Sequence, residues 1–476
     1  MKFSQLLFPA CAASALAHSD AHNHHHDAHR SHGLAGVCGS GALPLSDGES
    51  TCGSDTEYLA AGHNDVFAQK PLDGIWRCPN GTECDYAHKH NWTHSSPCFT
   101  SPTTGTEFCV FTDAEFAEGR GTSFVMPARR ADYIATTPAF VEPDRVKGVN
   151  QDLKRIVPAK YDMKEFPGKG MGLVANTYIQ RGDLIMANTL SLMIDYRVFD
   201  ELTWDEYAQL QAFAVDYLPD AHRAAIMNLS THDGGNLTHV ATVDKITATN
   251  AFDIDPDADD EQQDHGFFVV FPEIARMNHD CRANADYYFD HETLTQYIHA
   301  TRPISPGEEL TLSYINPLMR REARLRKLQR TWGFKCACPL CTQEAGRAKA
   351  SDARIKQIRE LRGQFRSYKP ESLANPQMAE LFISLHEQEK LWGAMYEAYA
   401  FAALEYNGIG EPWTATKWAQ LAVEWGIPAV GEKDQDVIEM QKLAEDPWAH
   451  WSWMLRSKKR AGWGRKDGEE EEDDEY

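Results

Sequence analysis

Three cysteines close together, Cys336-Ala337-Cys338-Pro339-Leu340-Cys341, constrain this chain more than any other run of residues. Thiols spaced C-x-C-x2-C, flanked and interrupted by Gly333 and Pro339, make a poor hydrophobic core and a good partial ligand set. They are one ligand short of a closed tetrahedral zinc site. The chain has 11 cysteines in unequal groups: Cys11 near the start, then Cys38, Cys52, Cys78, Cys84, Cys98 and Cys109 in a head, then Cys281 ahead of the three. Cys281, fifty-five residues before Cys336, is the cysteine outside the leader and the head that could complete the site. Metal binding would then tie this hook back onto the loop Asn278-His279-Asp280-Cys281 and stabilise both segments.

The other cysteines point to a different environment. Lys2, the apolar run from Leu6 to Ala17 and its small-residue ending read as a secretory signal peptide over residues 1–17. That run is too short to span a bilayer and no longer one follows, so no transmembrane span is expected. A leader implies an oxidising compartment. Residues 37–124 then read as a disulfide module rich in Gly, Ser, Thr and Pro, whose six cysteines allow fifteen pairings that the sequence does not choose among. Sequons at Asn80, Asn91, Asn228 and Asn236 agree with a glycoprotein. Between leader and module, residues 18–36 are a His-rich disordered segment containing His24-His25-His26; a loose metal tether, including copper at an N-terminal His18, is the sharper reading.

From residue 125 the composition is that of a globular domain. Gly168-Lys169-Gly170-Met171-Gly172 has neither the spacing nor the Lys-Ser/Thr ending of a P-loop, and it leads into β-branched and apolar runs, LVANTYI and DLIMANTLSLMI, that read as strands. Residues 200–250 change to helical spacing, with Leu202, Tyr207, Leu210, Phe213, Ala214, Tyr217 and Leu218 recurring and a second helix over 239–251. An acidic insert, DIDPDADDEQQD, marks an exposed loop. Strands are expected at 284–290, 294–302 and 309–314, with Pro306-Gly307 in the last turn, and a basic helix at 318–330.

Asn278-His279-Asp280-Cys281-Arg282-Ala283-Asn284, then Gly307-Glu308-Glu309-Leu310-Thr311-Leu312-Ser313-Tyr314, then the Cys336, Cys338, Cys341 hook, resemble the second half of a SET domain with its post-SET zinc loop, and Gly170-Met171-Gly172 resembles its opening motif. The match covers roughly residues 160–345. The resemblance is to SET-domain protein-lysine methyltransferases, in an arrangement similar to the SMYD type without its MYND finger and to the fungal SET domain-containing protein 5 type. It implies methyl transfer from S-adenosyl-L-methionine to protein lysines, with zinc on Cys281, Cys336, Cys338 and Cys341. It also implies a pseudoknot in which the segment ending at Tyr314 threads under the Asn278–Cys281 segment. Carried over by motif, the backbone of Lys169, Gly170 and Met171 holds the methionine part of the cofactor, Asn278 hydrogen-bonds it, and the His279 backbone reads the adenine edge. Phe334 stacks on the ring, and Tyr314 is the catalytic residue beside the transferring methyl group. Trp332 stands where related enzymes often carry a tyrosine facing the lysine channel, and Ala283 replaces a usual proline.

The expected fold class is therefore α+β: a β-rich pseudoknotted SET domain with helical insert and post-SET loop over 125–345, preceded by the disulfide head. An all-α region of helical hairpins, comparable to tetratricopeptide repeats, follows over 346–457, with helices at 351–366, 376–406, 412–425 and 434–456. A charged disordered tail closes the chain at 458–476. Aromatics such as Trp392, Tyr396, Tyr399, Trp413, Trp418 and Trp425 read as packing in that region. Formal charge is −23, which disfavours direct nucleic-acid binding and suits a basic, lysine-containing protein segment as substrate. The alternative is a non-catalytic SET and helical-repeat interaction protein of the secretory pathway. The leader places the chain in that pathway or outside the cell; without its use, the nucleus or cytoplasm is expected. Oligomeric state is not encoded in these patterns.

Overall fold

A computed structural model describes residues 90–94, 96–149, 159–231, 237–255, 266–367 and 372–460. The leader, the His-rich segment, Cys38, Cys52, Cys78, Cys84, Asn80, Asn236, most of the acidic insert and the charged tail from 461 onward lie outside the described residues, while 458–460, expected as the start of that tail, belong to the helix Leu455–Arg460. Asn91 and Asn228 are exposed. The chain forms two compact units, one reaching Ile355 and including 428–430, the other made of 356–427 and 431 onward. The division falls within the helix Ala345–Arg366, later than the boundary expected at 345/346.

In the first unit, β1 (Cys98–Thr100), β2 (Glu107–Asp113) and β3 (Thr122–Met126) precede β4 (Tyr161–Phe166), β5 (Gly170–Ala175), β6 (Leu184–Thr189) and β7 (Leu192–Asp195). After the helical insert come β8 (Phe252–Ile254), β9 (Phe267–Val270), β10 (Asn278–His279), β11 (Ala285–Asp290), β12 (Thr295–Ala300) and β13 (Glu309–Leu312). They form three sheets, ordered β1-β2-β3-β7-β9-β8, β10-β13-β5-β4 and β11-β12-β6.

The strands of the largest sheet are continuous apolar runs because both of its faces are buried. Side chains alternate across a strand, so Phe108, Val110, Val125, Leu192, Ile194, Phe268 and Val270 face one way. There they meet Tyr207, Leu210, Val215, Val243 and Ile246 of the insert, whose helices are Trp204–Asp216 and His239–Asn250. The first of these helices starts at a capping box in which Thr203 and Glu206 satisfy each other's orphan groups. Phe111, Phe124, Met126, Met193, Phe267 and Val269 face the other way, into a core shared with Leu173, Ile298, Leu310 and Leu312.

This arrangement corrects the expected head. β1, β2 and β3 belong to the largest sheet, and β3 pairs in parallel with β7, so the boundary at 124/125 cuts through one sheet. The Gly- and Ser-rich flanks hid a buried hairpin. Cys98 and Cys109 lie opposite each other in that hairpin and are joined as a disulfide.

The run from Asp183 to Ile194 is two strands, not one. Leu190 N–H bonds to Leu294 O at 3.0 Å and Ser191 N–H to Val270 O at 3.0 Å, which switches the chain from one sheet to another. The expected strands at 284–290, 294–302 and 309–314 are present in slightly shorter form as β11, β12 and β13, and the basic helix runs Arg321–Trp332.

The second unit is helical. The expected helix 376–406 breaks at Lys390, whose φ is 54°, into Pro376–Glu389 and Met395–Gly408. The Tyr406 hydroxyl reaches Glu380 at 2.5 Å and the Phe382 and Phe401 rings lie 5.8 Å apart, which fixes an antiparallel hairpin. The helix Pro412–Val430 follows, and its Trp418 stacks on Tyr399 at 5.7 Å, in keeping with packing. Trp413 is 75% exposed and packs edge-on against Trp448 at 5.4 Å. No helix among the described residues is long and apolar enough to cross a membrane.

Because Phe108 is fully buried between the sheet and the insert, Phe108→Ala should cost about 3–5 kcal/mol of stability. Urea denaturation followed by tryptophan fluorescence checks this; an independent head would leave the main transition unmoved.

Candidate active site

β10 and β13 run in parallel, with Asn278 opposite Thr311 and His279 opposite Leu312. The pairing continues as Asp280 N–H donates to Leu312 O at 3.0 Å. Asn284 extends it by side chain: its Nδ2 donates to Glu309 O at 2.8 Å and its Oδ1 accepts from Thr311 N–H at 2.9 Å. The Asn284 amide is 1% exposed and takes the place of a neighbouring strand. The segment ending at Tyr314 thus lies against the Asn278–Asn284 loop.

Tyr314 is held at both ends. Its N–H donates to His279 Nδ1 at 3.0 Å, and its hydroxyl donates to Met277 O at 2.6 Å. With Nδ1 accepting, the His279 proton belongs on Nε2, which faces Cys281 Sγ at 3.3 Å. Burial pushes the His279 pKa down to about 3, so the ring is neutral. Burial, with the Glu309 carboxylate nearby, holds the Tyr314 phenol above its ordinary range.

The helix Arg321–Trp332 ends at Gly333, whose φ of 72° turns the chain sharply. That turn presents Trp332 to Tyr314, ring centroids 5.4 Å apart, and Phe334 to His279 at 6.0 Å. Trp332 Nε1 donates to Thr249 O at 3.3 Å, at the end of the insert helix. Tyr314, Trp332, His279 and Phe334 therefore form one aromatic group.

The glycine segment lies at the β4–β5 turn and along β5. Gly168 and Gly170 have φ near 75° and 76°, and a Cβ added at either would meet no atom within 4 Å, leaving the backbone there open to a ligand. Gly172 has another role: a Cβ there would lie 2.5 Å from Asn278 Nδ2 and 2.9 Å from Phe166 Cδ2. Asn278 Nδ2 donates to Glu309 Oε1 at 2.9 Å, and Lys169 Nζ donates to Glu309 Oε2 at 2.6 Å. Lys169, Gly170, Asn278, His279, Tyr314 and Phe334 are thereby brought into one region, while the Met171 side chain is exposed. An open glycine backbone, an asparagine amide with one committed end and a half-buried aromatic edge fit a ligand that combines an amino-acid part with a flat ring.

Sγ atoms of Cys281, Cys336, Cys338 and Cys341 all lie within 4.8 Å of one another. Cys281 Sγ and Cys341 Sγ are 3.5 Å apart, and none of the four is in a disulfide. Hydrogen bonds among the thiols push Cys281 up, Cys336 giving the largest effect, and push Cys338 down, with Cys281 giving the largest. Four sulfurs converging in a mostly buried place suit a thiolate-bound metal with tetrahedral ligands. Cys98, Glu107 and Cys109 also cluster, but the disulfide removes both thiols.

Residues 170–315 match the family profile described as "SET domain". This part of the chain is a SET domain. A histone-lysine N-methyltransferase, set5 of Schizosaccharomyces pombe, is 27% identical over 201 residues, which are 42% of this chain and 56% of the relative. Histone-lysine N-methyltransferase SET5 of Saccharomyces cerevisiae is 40% identical over 77 residues, 16% of this chain and 14% of the relative. N-lysine methyltransferase SMYD2 of Homo sapiens is 37% identical over 84 residues, 18% of this chain and 19% of the relative. The chain thus spans about half of the fission-yeast relative's length and less of the others. A solved SET domain, that of LSMT bound to lysine and AdoHcy, aligns with 63% of this chain and 88% of its own at 12% identity; its TM-score of 0.25 is too low to argue from.

Within this SET domain three residues carry more of the geometry than their sequence signal suggested. Glu309, Asn284 and Gly172 lie within the SET-like motifs, where residue type alone signals no role for them. A pair Glu308-Glu309 after a turn does not reveal which carboxylate faces inward; Glu308 instead meets Arg302 and Asn284.

Adding one methyl group at Gly172 must displace either the Asn278 amide or the Phe166 ring. Gly172→Ala should cost about 1–3 kcal/mol in urea denaturation, an overpacking penalty that Gly168→Ala, with open space around it, would owe to backbone strain alone.

Proposed function

We propose that this chain is an S-adenosyl-L-methionine-dependent protein-lysine N-methyltransferase. The observation that carries the reading is Tyr314, pinned through His279 and Met277 beside Trp332 at the end of the segment matching the SET domain. The cofactor, when bound, would supply a sulfonium methyl group that a neutral lysine amine attacks in line, the new N–C bond forming as the C–S bond breaks and the neutral thioether leaves.

That chemistry asks for alignment and desolvation rather than a strong base. Asn278, the backbone of Lys169, Gly170 and Met171, and that of His279 would hold the cofactor, with Phe334 against its ring. Tyr314 and Trp332 form an aromatic wall that attracts an incoming lysine cation through cation–π interaction, while loss of water there favours the neutral amine. Because Tyr314 stays protonated, its hydroxyl orients neighbouring groups as a neutral dipole. His279, neutral and doubly bonded, fixes the Tyr314 backbone.

The substrate we assign is a basic, lysine-bearing protein segment, suited to a chain of charge −23 and to the histone-lysine activity in the relatives' names. Zinc is the metal we assign to Cys281, Cys336, Cys338 and Cys341, where it would lock the hook against the Asn278–Cys281 loop. Residues 1–17 would direct the chain into the secretory pathway, and an unused leader would leave it in the nucleus or cytoplasm.

Wild-type chain should bind S-adenosylhomocysteine in calorimetry and transfer radiolabelled methyl to a histone mixture. Tyr314→Phe should keep that binding yet lose about 100-fold in transfer rate. Transfer that survives unchanged, or a folded chain that binds no cofactor, overturns the reading and favours an interaction protein. Elemental analysis should find about one zinc per chain, lost in Cys338→Ser together with a lower Tm.

A further inference from the structure

Glu309, we infer, is a positioning residue: it fixes which end of the Asn278 amide faces the cofactor, and so makes the site select a ligand bearing a protonated amine. This rests on the reading of the site as one for S-adenosylmethionine.

A carboxylate accepts hydrogen bonds and donates none, so the end of Asn278 that meets Glu309 must be its NH2. The geometry agrees, with Nδ2 2.9 Å from Glu309 Oε1. Glu309 is not free to turn away, because Lys169 Nζ holds its other oxygen at 2.6 Å. Strand register sets this up. Thr311 lies opposite Asn278, and Glu309, two residues earlier, is on the same face of β13, while its backbone pairs with Val174 of β5. Gly172 of β5 leaves the room in which the amide lies.

With Nδ2 committed, Oδ1 points the other way and carries no hydrogen bond among the described residues. An oxygen so placed is satisfied by a donor. An ammonium group suits it, and a carboxylate set there would face lone pairs. Asparagine by itself offers no such choice, since its amide oxygen and nitrogen are nearly the same size and a half-turn about the last torsion exchanges them. The choice comes from Glu309. Its neighbour Glu308 cannot supply it, being bonded to Arg302 and Asn284.

The test is a comparison of two ligands by calorimetry: S-adenosylhomocysteine and its analogue lacking the α-amino group. Wild-type chain should prefer the amine-bearing ligand by about 10-fold or more, the usual effect of a hydrogen bond to a charged group. Glu309→Met removes the acceptor and should bring the preference close to parity. Glu309→Gln can keep an oxygen on Asn278 while half-exposed Lys169 turns to water, and should retain most of the preference.

A merely structural Glu309 would weaken both ligands equally on mutation to Met, and that result, or an unchanged preference, overturns the inference. Should Glu309→Met show no cooperative unfolding, Glu309→Asp carries the same comparison with the same expected fall, since it keeps the charge and shortens the reach. A wild-type chain that binds neither ligand overturns the methyltransferase reading itself, whereas one that binds both equally overturns this inference alone.

Discussion

Two residues of parallel pairing, Asn278 with Thr311 and His279 with Leu312, hold together segments more than thirty positions apart. Without that pairing Tyr314 has no reason to lie beside His279, and Glu309 none to meet Asn278. So short a ladder is weak by itself. Buried side chains reinforce it: the Asn284 amide completes the hydrogen bonding of β13 on one side, and β5 does so on the other. His279 adds a link that is neither strand nor metal, one ring nitrogen on the Tyr314 backbone and the other against the Cys281 sulfur. The cysteine cluster and the aromatic group are thus joined through a single imidazole, and order in one is passed to the other over two contacts.

Much of this was legible because the chemistry demands rare residue types at fixed spacing. A C-x-C-x2-C hook lacking a fourth ligand pointed to Cys281, and the structure brings the four sulfurs together. Turn residues at Pro306-Gly307 located β13 to within a few residues. The insert was readable from its helical period, since Tyr207, Leu210, Val243 and Ile246 do line the buried side.

Other features were hidden for physical reasons. Phe108-Cys109-Val110-Phe111 is a strand buried on both faces, and such strands lack the alternation that advertises a sheet; flanked by Gly, Ser and Thr, it resembled part of a loop-rich module. The switch at Leu190–Ser191 depends on partners about eighty and a hundred residues away, Val270 and Leu294, and nothing local marks it. Lys390 breaks a helix through a positive φ that lysine rarely adopts, so only tertiary packing could announce it. Glu309 was in plain view, but strand register alone decides whether a carboxylate turns toward a site or toward solvent.

The insert covers the face of the largest sheet opposite the Tyr314 core, and the sheet separates the two. Trp332 is the exception: its indole N–H rests on the Thr249 carbonyl at the insert's last turn. A change in the last turn of the insert helix would therefore reach the group of Tyr314, Trp332, His279 and Phe334 from outside the core, through a backbone carbonyl rather than a side chain.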